Sequence, residues 1–124
     1  MKTIQLVCSY VGKIIKLKKR VRQLKRECKK LEAQNVMIWG ANDYAKSILL
    51  NLDSNMVITK IIDAKAKSTN DQFLGINITS LQSINRIELT KVDAIILATD
   101  TYLQSMRNDL AEIDPAFLKK VIAF

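Results

Sequence analysis

Histidine is absent from this sequence, and proline, glycine and cysteine are scarce, with one, three and two residues respectively. Without histidine the chain has no imidazole for a Ser-His-Asp triad, for a general base or for a Cys/His zinc site. The scarcity of proline and glycine argues against a disordered, collagen-like or turn-rich all-β chain. The two cysteines, Cys8 and Cys28, would lie about 30 Å apart on one helix, which is too far for a disulfide.

Long apolar runs are absent as well. No run reaches the roughly 18–20 residues that cross a bilayer, and the longest run near the start, residues 4–11, contains Ser9. Apart from Lys2, the basic residues of this segment follow the run instead of preceding it, and no small-residue cleavage site is clear, which is unlike a secretory signal. We therefore expect a cytoplasmic protein, with contact to the inner face of the membrane left open.

Charge divides the chain into two parts. Residues 1–34 contain 11 Lys/Arg and 2 Asp/Glu, a net charge of +9, whereas the other 9 basic and 10 acidic residues give residues 35–124 a net charge of −1. Since 48% of the residues are hydrophobic, the second part can bury the core of one domain. The sequence thus predicts a basic amphipathic helix over residues 1–34 and a single domain over residues 35–124.

The basic segment carries apolar residues at alternating spacings of three and four, without Gly or Pro between Lys13 and Asn35. This pattern predicts a long helix and is compatible with a coiled coil. A parallel dimer is disfavoured because its flanking pairs, such as Lys13 with Lys18, would be like-charged, so an antiparallel homo-oligomer or a helix-mediated protein partner is expected instead. The apolar stripe consists of Val7, Tyr10, Ile14, Leu17, Val21, Leu24, Cys28 and Leu31.

Three environments for this helix remain open. The stripe could be buried against its own domain or against a protein partner, including a second copy of the chain. The Lys and Arg residues could instead surround Ile4, Val7, Val11 and Ile15 in peripheral contact with an anionic membrane. Nucleic acid is disfavoured, because no DNA- or RNA-reading motif accompanies the charge and aromatic residues make up only 6% of the chain.

From Asn35 onward, short apolar runs alternate with amphipathic stretches of about ten residues. This alternation predicts an α/β fold, a small doubly wound parallel five-stranded sheet of the Rossmann-like type. The expected strand order is 3-2-1-4-5, which places a ligand crevice between the ends of the first and fourth strands. The predicted strands are Asn35–Trp39, Val57–Ile62, Ile76–Ile78, Val92–Ala98 and Lys120–Phe124. The predicted helices are Asp43–Leu52, Leu81–Leu89 and Thr101–Ile113. Residues 64–72 are predicted to form a polar loop.

The first strand-to-helix turn reads Gly40-Ala41-Asn42-Asp43-Tyr44-Ala45. In a dinucleotide site the first glycine makes the tight turn, the second admits the pyrophosphate, and a third small residue lets the helix pack on the strand. Gly40 and Ala45 fit this pattern, whereas Asn42 takes the middle position and narrows the approach. The turn, including Ala41 and Asp43, is a candidate nucleotide-binding site, and a tight connection without a ligand is the alternative.

Two further polar residues are expected at the same edge of the sheet. Asp63 ends the second strand 23 residues after Gly40, about where a carboxylate binds ribose hydroxyls, although it could simply cap the following loop. Thr99 ends the fourth strand, ahead of Asp100 and Thr101. These residues could meet a ligand in the crevice or cap the helix that follows.

Taken together, these segments resemble the Rossmann-like domain of bacterial surface-polysaccharide proteins. The segments are NVMIWGANDYAKSIL, ITKIIDA, FLGINI and VDAIILAT, and their pattern is closest to the N-terminal domain of capsular nucleotide-sugar 4,6-dehydratases and related glycan enzymes. The resemblance covers residues 35–124 and implies binding of NAD(P) or a nucleotide sugar, with Gly40, Asn42, Ala45 and Asp63 at the matching positions. Because the chain ends at Phe124, before the position of a Tyr-x-x-x-Lys catalytic domain, dehydratase activity is not expected.

The sequence therefore predicts a non-catalytic nucleotide or nucleotide-sugar binding module associated with surface-polysaccharide biosynthesis. The alternative is an oligomerisation or scaffold protein that acts through its heptad helix and carries a degenerate Rossmann domain. A third hypothesis is an enzyme completed by a separate subunit, for which Asp63, Thr99 and Asp100 would be the candidate residues.

Overall fold

The computed structural model of the chain describes residues 2–53, 55–63, 72–80 and 85–124, with the side chains of the first helix described from Ile15 onward. Helices and strands alternate through most of it, as the apolar runs predict. The helices are α1 (Lys2–Lys30), α2 (Asp43–Asn51), α3 (Arg86–Lys91) and α4 (Leu103–Ile113), with a 3₁₀ helix at Pro115–Lys120. The strands are β1 (Asn35–Trp39), β2 (Val57–Ile62), β3 (Gln72–Phe73), β4 (Ile76–Thr79), β5 (Ala94–Leu97) and β6 (Val121–Ala123).

The strands form one six-stranded sheet in the order β3-β4-β2-β1-β5-β6. Every neighbouring pair is parallel except β3 with β4. The predicted order is confirmed for the five predicted strands, since β4-β2-β1-β5-β6 corresponds to 3-2-1-4-5. The carboxyl ends of β1 and β5 therefore lie side by side, with Trp39 aligned to Leu97.

The prediction of five strands is wrong, because Gln72, assigned to a polar loop, and Phe73, assigned to no element, form a sixth strand. This strand pairs with β4 in a hairpin in which Phe73 is the partner of Ile76. The two turn residues, Leu74 and Gly75, have φ angles of 49° and 81°. Two positive φ angles in succession give a turn that matches the twist of paired strands. The remainder of the predicted loop, residues 64–71, lies outside the described residues.

Both faces of the sheet are covered by helices, because successive strand residues point to opposite sides. Val36 and Ile38 of β1 belong to a core that also contains residues of α1 and α2. Met37 and Trp39 belong to a second core on the other face, which contains residues of α3, α4 and the 3₁₀ helix. Burial on both faces explains why β1 and β5 read as continuous apolar runs in the sequence.

The apolar stripe of α1 packs on its own domain. Leu24 and Cys28 are 1% and 3% exposed and belong to the core beside α2. Leu17 and Val21 pack against the same core. Of the environments left open for the stripe, burial in the same chain is the one observed for these four residues. The prediction of one helix over residues 1–34 is not confirmed along its whole length, because α1 ends at Lys30 and Glu32, in the turn that follows, has a φ of 51°.

The helix α3 and the 3₁₀ helix at Pro115–Lys120 differ most from the prediction. α3 begins at Arg86, where the Asn85 side chain accepts a hydrogen bond from the Glu88 amide at 2.9 Å; the predicted start at Leu81 lies outside the described residues. The 3₁₀ helix was not predicted. It begins at Pro115, and the carboxylate of the preceding Asp114 caps it by accepting a hydrogen bond from the Ala116 amide at 2.9 Å. Among the described residues, no helix is both long and apolar enough to cross a membrane.

Candidate functional site

Gly40 makes a tight turn at the carboxyl end of β1. Its φ of +116° is a value that residues with a side chain rarely adopt. Its amide donates to the Ile62 carbonyl at 2.7 Å, and a Cβ added to Gly40 would lie 2.9 Å from the Ala98 carbonyl oxygen. The turn is thus held between the ends of β2 and β5, and this close approach requires glycine.

Asn42 bridges the crevice between the first helix turn and the end of β5. Its Oδ1 accepts from the Ala45 amide at 3.1 Å and so caps α2, while its Nδ2 donates to the Ala98 carbonyl at 2.7 Å. In a dinucleotide site a glycine at this position leaves room for the pyrophosphate. Here the direct path over the turn is occupied by the Asn42 amide. Ala45 is fully buried, which lets α2 pack closely on the sheet.

Asp63, at the end of β2, lines a cavity of about 410 Å³. Its Oδ2 accepts from the Ala41 amide at 3.2 Å, so the carboxylate also stabilises the Gly40 turn. The opposite wall comes from Tyr102 and from the α4 residues Ser105, Met106 and Asp109. No Lys or Arg is among the described residues that line this cavity. A wall of carboxylates and apolar side chains suits an uncharged group that carries hydroxyls better than it suits a phosphate.

Thr99 lies between this cavity and a second one. It is 8% exposed, and its Oγ1 accepts from the amides of Thr101 and Tyr102 at 3.2 and 3.3 Å. Tyr102, which precedes α4, makes no capping hydrogen bond with its own side chain. The hydroxyl of Thr99 therefore caps the loop that leads into α4, which is the capping alternative raised by the sequence.

The second cavity, of about 580 Å³, lies on the other side of Asn42 and Thr99. One wall is basic and comes from α1, through Lys16 and Arg20. Asp43 and Tyr44, in the first turn of α2, form another part of the lining. The amides of such a first turn have no acceptor within the helix and favour negative charge. The sequence did not predict Lys16 and Arg20 at the site, because it assigned them to a separate helix.

Arg20, Tyr44 and Asp100 form a polar cluster at the edge of this second cavity. Arg20 Nη1 lies 3.0 Å from Asp100 Oδ1, and the guanidinium carbon lies 5.3 Å from the centre of the Tyr44 ring. The Tyr44 hydroxyl donates to Asp100 Oδ2 at 2.5 Å. This hydrogen bond, together with Arg20, lowers the pKa of Asp100, and the same bond raises the pKa of Tyr44. The cluster ties α1 to the crevice at the carboxyl edge of the sheet.

Neither a metal centre nor an activated thiol is found in the part of the chain that the structure describes. No group of three or more Cys, Asp, Glu or His residues is placed to hold a metal ion there. Cys28 is buried, and this burial raises the pKa of its thiol to about 11, so the thiol is protonated at neutral pH. The described polar residues can bind a ligand, but they form no recognisable catalytic set.

Comparison with known proteins corrects one interpretation of the sequence. A family model described as "C2185-like, N-terminal" matches residues 32–121, whereas none of the curated proteins and none of the solved structures matches the chain. The resemblance to the Rossmann-like domain of capsular nucleotide-sugar dehydratases is therefore wrong, because its motifs are short and common to many α/β sheets. A role in surface-polysaccharide biosynthesis loses its support with it. The chain belongs to the family of C2185-like N-terminal domains.

Proposed function

We propose that this domain binds a nucleotide at the carboxyl edge of its sheet and that it does so without catalysing a reaction. The observation that carries the proposal is the cavity beside Asp63, which adjoins the glycine turn at the end of β1. The order of the central strands and the helices on both faces match doubly wound sheets, which bind ligands at this edge. The proposal depends on these contacts and not on membership of a nucleotide-binding family.

The nucleoside part of the ligand would occupy the cavity beside Asp63. The Asp63 carboxylate lines this cavity, and ribose hydroxyls can donate to carboxylate oxygens. Met106 and the ring of Tyr102, which is 63% exposed, offer apolar surface to a base. The lack of lysine and arginine among the described lining residues is consistent with an uncharged group at this position.

The phosphates would reach the cavity lined by Lys16 and Arg20. The two cavities share Asn42 and Thr99, so a ligand that extends across both must pass over the Asn42 side chain. We therefore expect a mononucleotide or a nucleotide sugar to fit better than a dinucleotide such as NAD(P), whose pyrophosphate lies closest to the turn. The carboxylates of Asp43 and Asp100, which also line this cavity, would repel the negatively charged phosphates, and this repulsion limits the affinity that we expect.

The alternative of a scaffold that oligomerises through the heptad stripe has less support. Leu24 and Cys28 are buried against the sheet of their own chain and are not available for a second helix. Coiled-coil pairing remains a prediction only for the preceding part of the stripe.

Binding can be measured by thermal unfolding with ADP, UDP, a UDP-sugar and NAD. A dissociation constant near 10 µM should raise the free energy of unfolding by about 2.7 kcal/mol at about 1 mM ligand. The variant Ser105→Trp fills the cavity beside Asp63 from its exposed rim and should abolish the shift. The neighbouring substitution Gln104→Trp, which is exposed and does not line the cavity, is the matched control and should keep it.

Two results would overturn the proposal. One is the absence of a shift with every nucleotide while the protein unfolds cooperatively. The other is an equal shift for Ser105→Trp and Gln104→Trp, which would show that any binding occurs elsewhere.

A further inference from the structure

The outward face of α1 forms a basic strip, defined here by its exposed Lys and Arg residues. These are Lys16, Lys18, Lys19, Arg22, Arg26, Lys29 and Lys30. At 100° per residue, all but Lys16 fall within one sector of about 120°, opposite the side that holds Leu24 and Cys28. One side of the helix is thus fixed in the core of the domain, and the other presents a row of positive charges along about 20 Å.

The basic strip has no acidic partners in the described part of the chain. The two α1 residues that do form ion pairs, Arg20 and Lys25, lie beside the buried side and contact Asp100 and Asp53. Glu27 is half-buried and lies outside this sector. Like charges at spacings of three and four repel one another, so the strip is costly to the folded chain unless something external neutralises it.

The apolar character at the start of the strip indicates what that partner is. Ile15 lies on the same line as Arg22 and Arg26 and is 49% exposed. In the sequence, apolar residues precede Ile15 at spacings of three and four, at Val11, Cys8 and Ile4. Residues 1–14 contain only two charged residues, Lys2 and Lys13. An apolar segment that leads into a row of basic residues suits the boundary between acyl chains and anionic headgroups.

We propose that the basic strip binds the surface of an anionic phospholipid bilayer. Nucleic acid would satisfy the same charges, but it offers no environment for Ile15, and the strip contains no aromatic residue on which a base could stack. The helix would lie flat on the headgroups, with the sheet held on the side away from the lipid. This proposal does not depend on nucleotide binding: Lys16 lines the second cavity, whereas the other residues of the strip lie on the side of α1 opposite the core.

Sedimentation with phosphatidylcholine vesicles, with and without phosphatidylglycerol, tests this proposal. The full chain should bind only the anionic vesicles, and binding should weaken as salt is added. The variant K18Q/K19Q/R22Q/R26Q should bind roughly 600-fold more weakly, since each of the four basic residues near such a surface contributes about fivefold. The control K46Q/K91Q/R107Q/K119Q removes the same number of exposed charges elsewhere and should bind like the parent.

A parallel titration with duplex DNA separates the lipid from other polyanions. Ile15→Gln should weaken vesicle binding severalfold and leave any DNA binding unchanged. The proposal is refuted if the parent does not bind anionic vesicles at low salt, or if the control variant loses as much binding as the strip variant. It is also refuted if the parent binds DNA more tightly than the vesicles at equal phosphate concentration. Circular dichroism of each variant shows whether the helix is retained.

Discussion

Two glycines with positive φ angles provide a controlled test of the turn at the candidate site. Gly40, at φ +116°, has the Ala98 carbonyl oxygen where a Cβ would be placed, whereas Gly75, at φ +81°, has nothing within 4 Å. Gly40→Ala should therefore lower the free energy of unfolding by about 2–4 kcal/mol, combining backbone strain with a clash against backbone. Gly75→Ala should cost only about 1 kcal/mol, from the strain alone.

Urea denaturation of both variants measures this difference. Equal losses would mean that the Gly40 turn can move away from β5, and the close approach of the two backbones would then not be essential to the fold. The comparison also bears on the site, because a turn that moves would change the cavity beside Asp63.

Asp93 gives a pH dependence of known sign. Its Oδ2 accepts from the amides of Gln34 and Asn35, both at 2.9 Å, and so fixes the start of β1 beside β5. These hydrogen bonds, first that from Asn35 and then that from Gln34, lower the pKa of Asp93 in the folded chain. A carboxyl whose folded pKa is depressed stabilises the fold above its unfolded pKa of about 4, and this contribution is lost as pH falls through the folded pKa.

Asp93→Asn should consequently reduce the free energy of unfolding by about 1–2 kcal/mol at neutral pH, since hydrogen bonds to a charged acceptor are lost from a partly exposed site. The difference from the parent should shrink when urea denaturation is repeated below the folded pKa. Glu112→Gln, an exposed substitution, is the control and should change little at either pH. If the difference in free energy of unfolding between Asp93→Asn and the parent stays constant with pH, the loss of stability does not come from the charge of Asp93.

At the scale of elements, the sequence predicted the strands that are buried on both faces. The runs NVMIW and AIIL are too short for helices and too continuously apolar for an exposed strand, so they specify the centre of a parallel sheet. Their order then follows from right-handed crossovers. The mixed α/β architecture can therefore be predicted from the pattern of apolar residues in this one sequence.

The hairpin of β3 and β4 could not be predicted in the same way. Its turn places Leu74 at a positive φ, whereas the usual signal is Asn or Asp before Gly. β3 has only two residues, so it has no periodicity of its own. Tertiary pairing with β4, which is not visible in local sequence, defines this strand.

The candidate site was only partly predictable for a similar reason. Gly40, Asn42, Asp63 and Thr99 line the same edge because each follows a parallel strand or its turn. Arg20 lies at that edge only because α1 packs on the sheet. The charge pattern of the sequence had indicated that this helix was separate from the domain. Amphipathicity shows that a face is buried but does not show against which surface.

The docking of α1 predicts that its inward leucine contributes to the stability of the domain. Leu24→Ala should lower the free energy of unfolding by about 2–5 kcal/mol, because Leu24 is 1% exposed and its removal leaves a cavity. Leu50→Ala, on α2, provides the control: this leucine is 71% exposed and its loss should cost well under about 1 kcal/mol. Chemical denaturation followed by circular dichroism measures both, and a small effect at Leu24 would mean that the helix is dispensable to the domain.

At the scale of the whole molecule, charge is distributed unevenly: residues 1–34 carry a net charge of +9, and the rest of the chain carries −1. The asymmetry concentrates repulsion within one helix instead of spreading it over the surface. Lys18, Lys19, Arg22 and Arg26 take part in seven like-charged pairs at spacings of three or four, which include Arg26 with Lys29 and with Lys30. Salt should relieve this repulsion, because exposed charges are screened by mobile ions.

The strip variant K18Q/K19Q/R22Q/R26Q should therefore be more stable than the parent at low salt, although it removes four charges from the surface. At about 0.2–0.5 kcal/mol for each like-charged pair, the expected gain is about 1.5–3.5 kcal/mol. Urea denaturation at low and high sodium chloride measures this effect. The free energy of unfolding of the parent should rise with salt, and that of the strip variant should change little. The control variant K46Q/K91Q/R107Q/K119Q should show the same rise as the parent. If the strip variant is less stable than the parent at low salt, these side chains stabilise the folded helix through contacts of their own. The repulsion would then be too weak to leave the strip in need of an anionic partner.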